Sequence, residues 1–152
     1  MEEIKPKKES LAKVMATLQL GIDQYHKAQA ITDCTDTCCT IFRDRDELIR
    51  TTRDSMIQRF EYCVDSLWKY LKIYLETVEK VTLDTKSPRG IYKALCATRK
   101  ISEDETELAL EMCDARYITS HIYKEEQAEL LTTKIARFYA LMETIINRVD
   151  GQ

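Results

Sequence analysis

Residues 43–80, RDRDELIRTTRDSMIQRFEYCVDSLWKYLKIYLETVEK, decide the fold class. Ile49, Met56, Phe60, Cys63, Leu67, Tyr70, Leu71, Tyr74 and Val78 follow one stripe along them, at the three- and four-residue intervals that gather side chains on one helical face. Arg50, Arg53, Asp54, Arg59, Asp65, Lys69 and Lys72 occupy much of the remainder, the pattern of a helix half-buried in a bundle. The stretch predicts one long helix from Arg43 to about Lys80 that organises the rest of the fold. Its charges read most simply as a solvated face.

On the N-terminal side, Leu11, Val14, Met15, Leu18, Ile22 and Tyr25 predict a second amphipathic helix over Ser10 to Tyr25. The segment from Ala28 to Thr40, rich in Thr, Asp and Cys, has no period and reads as a helix end or an irregular connection. On the C-terminal side, VTLDTK lacks a stripe, and Ser87-Pro88 has the form of an N-cap followed by proline at the first helical position. A short helix is expected from Pro88 to about Thr98. Ser102 with Glu105 three residues on fits a capping box, opening a helix that ends near Ile118. After the short segment Thr119–Tyr123, a final helix is expected over Lys124–Val149. Ala128, Leu131, Ile135, Phe138, Met142, Ile145 and Val149 form its stripe, and Glu125 and Glu126 sit in its first turn, where the helix dipole favours negative charge. Four long amphipathic elements and one short insert make an all-α chain, most simply an antiparallel up-and-down four-helix bundle with a short additional helix. Residues 1–152 read as a single domain, without internal repeats, low-complexity tracts or linkers.

Composition agrees. The 152 residues include 23 Lys+Arg and 26 Asp+Glu, for a net charge of −3, with 44% hydrophobic and 32% charged residues. That balance is too apolar for a disordered chain, and three Gly with two Pro are too few for a chain of many short strands and turns. No window supplies the 18 or so apolar residues of a membrane span, and MEEIKPKKES has no apolar signal core, so a cytoplasmic protein with no membrane partner is expected. In a reducing cytosol the six cysteines should remain thiols. Cys63, Cys96 and Cys113 lie in apolar-periodic stretches and read as small core residues. Cys34, Cys38 and Cys39 form a C-x3-C-C cluster, but no second Cys or His cluster follows at zinc-site spacing, so no metal is expected. The Met and aromatic positions, including Phe60, Trp68 and Tyr74, are explained by core or dimer packing, and no cofactor is called for.

Two histidines are present, His26 and His121. His26, next to Lys27 near a helix end, reads as a surface or capping residue. His121 lies in Arg116-Tyr117-Ile118-Thr119-Ser120-His121-Ile122-Tyr123, at the junction of two helices. An extended chain from Ser120 to Tyr123 would project His121 and Tyr123 to the same side. Arginine offers a planar fork that matches phosphate oxygens, and histidine moves protons near neutral pH. Together they suit RNA phosphodiester cleavage, in which the histidine assists the ribose 2′-hydroxyl and the arginine stabilises charge on the scissile phosphate. Spacing alone is equally met by a buried junction histidine and an arginine that caps the preceding helix.

Arg116-x4-His121-x-Tyr123 resembles the R-x4-H-x-Y motif of the HEPN superfamily, specifically the HepT-like nucleotidyltransferase substrate-binding proteins. The likeness continues through Arg59-Phe60-Glu61, Leu67-Trp68-Lys69 with Leu71, Ser87-Pro88-Arg89, and Glu125-Glu126 after the motif, covering roughly Arg53 to the C-terminus. The resemblance implies a helical homodimer with the Arg and His of both subunits at a shared cleft, and leaves higher oligomers open. It further implies the toxin of a type VII toxin–antitoxin pair, a metal-independent endoribonuclease with Arg116 and His121 as catalytic residues. A partner minimal nucleotidyltransferase encoded nearby would silence it by transferring AMP from ATP to Tyr123, the acceptor or positioning group. The alternative within the same resemblance is a non-catalytic substrate-binding subunit that docks the nucleotidyltransferase and helps form its pocket. Tyr117 stands where the family commonly has asparagine, and Lys124 where a capping Asp or Asn is more usual. The motif's surroundings are acidic, so RNA-binding cations must come from the long helix, with Arg53 and Arg59 the expected pair.

Overall fold

A computed structural model describes residues 4–32, 41–120 and 124–151, and these form five helices: α1 (Ile4–Ala30), α2 (Arg45–Thr77), α3 (Pro88–Ala97), α4 (Glu103–Thr119) and α5 (Glu125–Asp150). The 33 residues of α2 span about 50 Å, and all four other helices pack against it. Its start is set by Asp44, whose carboxylate accepts the Glu47 N–H at 2.8 Å; its end is set by Lys80, which turns the chain at φ 53°. The expected capping box is formed: the Ser102 hydroxyl accepts the Glu105 N–H at 3.1 Å while the Glu105 carboxylate accepts the Ser102 N–H at 2.8 Å. Likewise Ser87 accepts the Gly90 N–H ahead of Pro88.

The first helix is longer than its sequence pattern suggests. Ile4, two turns before Leu11, carries the stripe further towards the N-terminus and packs against the core, while Lys5, Lys7, Lys8 and Glu9 remain in solvent. At the other end buried Ala28 extends it past Tyr25 to Ala30, and Arg45 donates to the carbonyls of Gln29 and Ile31 that the helix end leaves open. The cluster Cys34, Cys38 and Cys39 lies outside the described residues.

Side-chain ties fix the topology. Cys63 donates to Val14 O and Arg59 to Thr17 O, so α1 runs antiparallel to α2. Arg116 near the end of α4 reaches Asp65, and Lys134 pairs with Glu111 while Arg148 pairs with Glu105, making α4 antiparallel to both α2 and α5. Arg53 meets Glu125 at one end and Tyr70 meets Asp150 at the other, so α2 and α5 run parallel. This is the up-and-down bundle, with α3 laid across α2 and α4. At its centre Phe60 and Phe138 stack with ring centroids 5.7 Å apart among fully buried Leu18, Leu67, Leu71, Ile135 and Met142. Trp68 is half-buried beside them. Cys63 is a core residue whose thiol burial pushes up to about 12; Cys96 and Cys113 pack half-buried at the core's edge, and burial pushes the Cys113 thiol up to about 11. None of these three is a poised thiolate.

Arg59 lies across α1. A Cβ placed on the buried helical Gly21 would stand 3.0 Å from Arg59 Cδ, so the glycine makes room for the arginine stem whose guanidinium reaches Thr17 O at 3.0 Å. Gly21→Ala should therefore gain helix propensity of about 1 kcal/mol only where the stem is absent. In urea unfolding the substitution is expected to stabilise an Arg59→Ala background and to give no gain in the wild-type background. Equal effects in both would show that the two residues are uncoupled.

Candidate functional site

Arg116 sits one turn before the C-terminus of α4, its side chain one quarter exposed. Its guanidinium is held from three directions. Nε donates to Asp65 Oδ1 at 3.2 Å and Nη2 to Asp65 Oδ2 at 3.0 Å, a bidentate grip across to α2. Nη1 donates to the hydroxyls of Thr119 at 3.1 Å and Ser120 at 3.2 Å, and lies 3.5 Å from Glu61 Oε1. The Asp65 hydrogen bonds reinforce its positive charge. A fixed, charged fork of this kind loses little entropy when it meets a phosphate.

The opposite arrangement holds the start of α5. Arg53 on α2 is 6% exposed, and its Nη1 donates to Glu125 Oε1 at 2.6 Å while Nε and Nη2 both lie 3.0 Å from Asp54 Oδ1. A buried guanidinium requires such partners, because desolvating a lone charge costs several kcal/mol. Arg53 in turn holds the Glu125 carboxyl below the usual carboxylate range. Lys124, the N-cap, has extended backbone and makes no side-chain cap, so the Arg53–Glu125 pair is what ties this helix end down.

The chain from Arg116 to Glu125 thus crosses α2 between two arginine–carboxylate ties, at Asp65 and at Arg53, about 18 Å apart along the helix axis. Between them lies a cleft of about 670 Å³ lined by Arg53, Asp54, Ser55, Ile57, Gln58, Glu61, Thr119, Lys124, Glu125 and Ala128. Glu61 and Thr119, which both touch Arg116 Nη1, form one rim.

Of the residues expected to carry chemistry, His121 and Tyr123 lie outside the described residues; Thr119 and Lys124, which flank them in sequence, both line the cleft. Arg53 lines it too, engaged by two carboxylates, whereas the Arg59 guanidinium contacts Thr17 O and Gln24 Oε1 on α1. Tyr117, 72% exposed, and His26 on α1 both face solvent. Asp65, Glu61 and Glu125 are the partners that reading the sequence missed. Their signal was the polar stripe Asp54, Gln58, Glu61 and Asp65, spaced four, three and four residues apart on α2, which marks a second buried-side face opposite the α4–α5 junction. Among the described residues no group of three or more His, Cys, Asp or Glu could hold a metal ion, and no helix is long and apolar enough to cross a membrane.

The family described as nucleotidyltransferase substrate binding protein like matches residues 7–150. No curated protein matches the chain significantly. Among solved structures, a Thermus thermophilus protein aligns at 26% identity over 87% of this chain and 98% of that one, with a TM-score of 0.62. A mutant MntA-HpeT toxin–antitoxin structure aligns at 10% identity over 93% of this chain and 98% of that one, with a TM-score of 0.64. The tri-AMPylated Shewanella oneidensis HEPN toxin in complex with MNT antitoxin aligns at 13% identity over 93% and 97%, with a TM-score of 0.62. The last two likenesses are of fold.

Proposed function

Because the chain belongs to the nucleotidyltransferase substrate-binding-protein-like family, as a HepT-like member of the HEPN superfamily, we propose that it is the toxin of a toxin–antitoxin pair and an endoribonuclease. The observation that carries the reading is Arg116, fixed by Asp65 with Nη1 at the rim of a cleft that the motif's flanking residues line. In the reaction, His121 takes the proton of a ribose 2′-hydroxyl, whose oxygen attacks the adjacent phosphorus as the 5′-oxygen leaves. Arg116 stabilises the extra negative charge on the phosphoryl oxygens, worth most in a site partly shielded from water. The products are a 2′,3′-cyclic phosphate and a 5′-hydroxyl, and no external nucleophile is consumed. The partner is a minimal nucleotidyltransferase: the Tyr123 hydroxyl attacks the α-phosphorus of ATP, pyrophosphate leaves, and the phenolic proton is lost. The phosphodiester anion then competes with RNA for Arg116.

A second reading, a non-catalytic subunit that docks the nucleotidyltransferase and completes its pocket, is favoured by the two carboxylates on Arg116, since any phosphate must share the guanidinium with Asp65 and Glu61. One experiment separates the two. The protein is purified with and without the neighbouring nucleotidyltransferase and ATP, its intact mass is measured, and RNA cleavage is assayed. Added AMP on Tyr123, with cleavage only by the unmodified form and none by His121→Ala, is the expected result. A stable complex that shows no adduct and no RNase activity at high protein concentration would select the docking subunit.

A further inference from the structure

We infer that the cleft between α2 and the α4–α5 junction is a subsite for one nucleotide unit, whose single phosphate sits on Arg116 and whose base carries an exocyclic amino group. The inference rests on the reading above and gives it a binding preference.

Three observations point there. First, the phosphate end is fixed: Arg116 Nη1 shares Glu61 and Thr119 with the cleft rim, so an anion on that nitrogen has its substituent directed into the cleft. Second, the lining suits a base and resists further phosphates. Two cations, Arg53 and Lys124, face three carboxylates, Asp54, Glu61 and Glu125, and Arg53 is already neutralised by two of them. A triphosphate would bring several negative charges against those carboxylates, whereas a monophosphate leaves its one anionic end at Arg116. Third, from Glu61 to Asp54 is about 10 Å along α2. The half-buried Ile57 and the buried Ala128 supply apolar surface, and the Ser55 hydroxyl and exposed Gln58 amide supply donors and acceptors. At the far end the carboxylates of Asp54 and Glu125 are acceptors only. An amino-bearing base edge, as in adenine, offers them N–H groups; uracil offers carbonyl oxygens, which they repel.

The nucleotide unit can come from an RNA strand or from an adenylate attached nearby, and the test separates these. The full-length protein is titrated calorimetrically with 5′-AMP, 5′-UMP and ATP without magnesium. AMP should bind saturably, with UMP and ATP each weaker by about 3–10-fold, the range of one lost hydrogen bond or one unfavourable contact. Ser55→Trp, which fills the cleft, should weaken AMP by about tenfold or more. Gln58→Ala, at an exposed helical position that tolerates alanine, should weaken it about threefold and guards against a misfolded tryptophan variant. A short RNA lacking its 2′-hydroxyls that competes with AMP assigns the unit to the strand; failure to compete assigns it to the attached adenylate. Equal binding of AMP and UMP, or AMP affinity unchanged in both variants, overturns the inference. If that happens while RNA is still cut and Tyr123 still adenylated, the proposed function stands and only the subsite falls. Conversely, AMP binding that is lost in Ser55→Trp, in a protein with neither activity, keeps the subsite and removes the enzyme.

Discussion

Reversing the charge at position 53 is expected to destabilise the protein by about 3–5 kcal/mol, the cost of an uncompensated buried charge. Arg53 is 6% exposed, and the groups around it are the carboxylates of Asp54 and Glu125, so Arg53→Glu buries a third negative charge among two others. Arg53→Met keeps the aliphatic stem and removes the charge; because Asp54 and Glu125 are both more than half exposed and can rehydrate, it should cost under about 1.5 kcal/mol. The two variants therefore separate charge from packing. The pH dependence of the reversed-charge variant has opposite sign to that of the wild type. Arg53 holds the folded-state pKa of Glu125 below its unfolded value, so the unfolded chain binds the extra proton and the pair's contribution is lost as pH falls below the usual carboxylate range near 4.3. In Arg53→Glu the introduced carboxyl is raised instead, the folded state binds the extra proton, and stability should rise as pH is lowered from 7 towards 5. Urea unfolding at several pH values reads both effects. A reversed-charge variant as stable as the wild type, with the wild-type pH slope, would show that the Arg53 tie contributes nothing.

What the sequence carried and what it did not follow from the range of the forces involved. The α2 helix was legible because Met56, Phe60, Cys63, Leu67 and Leu71 repeat at the helical period, and one long stripe can bury itself only against other helices. Local hydrogen bonds were equally legible: Ser102 with Glu105 and Ser87 with Pro88 are three-residue and one-residue patterns, and both cap as expected. The first turns of α1 were hidden because their Lys- and Glu-rich surface leaves Ile4 as the single apolar mark. The ties that build the site were hidden for a different reason. Asp65 and Arg116 are 51 residues apart and Arg53 and Glu125 are 72 apart, so no local pattern pairs them. A charged residue on an amphipathic helix reads as solvated until the opposing helix is in place, which is how Arg53 and Asp65 passed for surface. Arg59 passed for a nucleic-acid contact on the same ground, although its guanidinium is spent on α1. The motif arginine was found by its order with His121 and Tyr123, and its orientation came only from the fold.

Arg116→Lys should abolish RNA cleavage, by about a hundredfold or more, with little loss of stability. The argument turns on the shape of the guanidinium. Arg116 uses Nε and Nη2 to grip both oxygens of Asp65 and keeps Nη1 for the cleft rim; a lysine ammonium is a single point and cannot hold Asp65 bidentately while presenting a second nitrogen elsewhere. With Lys at 116 the cation should collapse onto Asp65 and Glu61, and developing charge on a phosphate would lose its donor, a loss worth about 10²–10³ in rate at sites of this kind. Stability should change by under about 1 kcal/mol, because the pairs are partly exposed and an ammonium retains much of their attraction. Asp65→Asn supplies the complementary case. Its amide still accepts one bond from Arg116 but releases the second, so the guanidinium gains freedom without losing charge. Cleavage should fall less than in Arg116→Lys, and the loss should appear in kcat more than in KM, since the charge that attracts RNA is intact while its placement in the transition state is not. Full activity in Arg116→Lys would make the arginine an interhelical tie between α4 and α2, and would pass the protein to the docking-subunit reading.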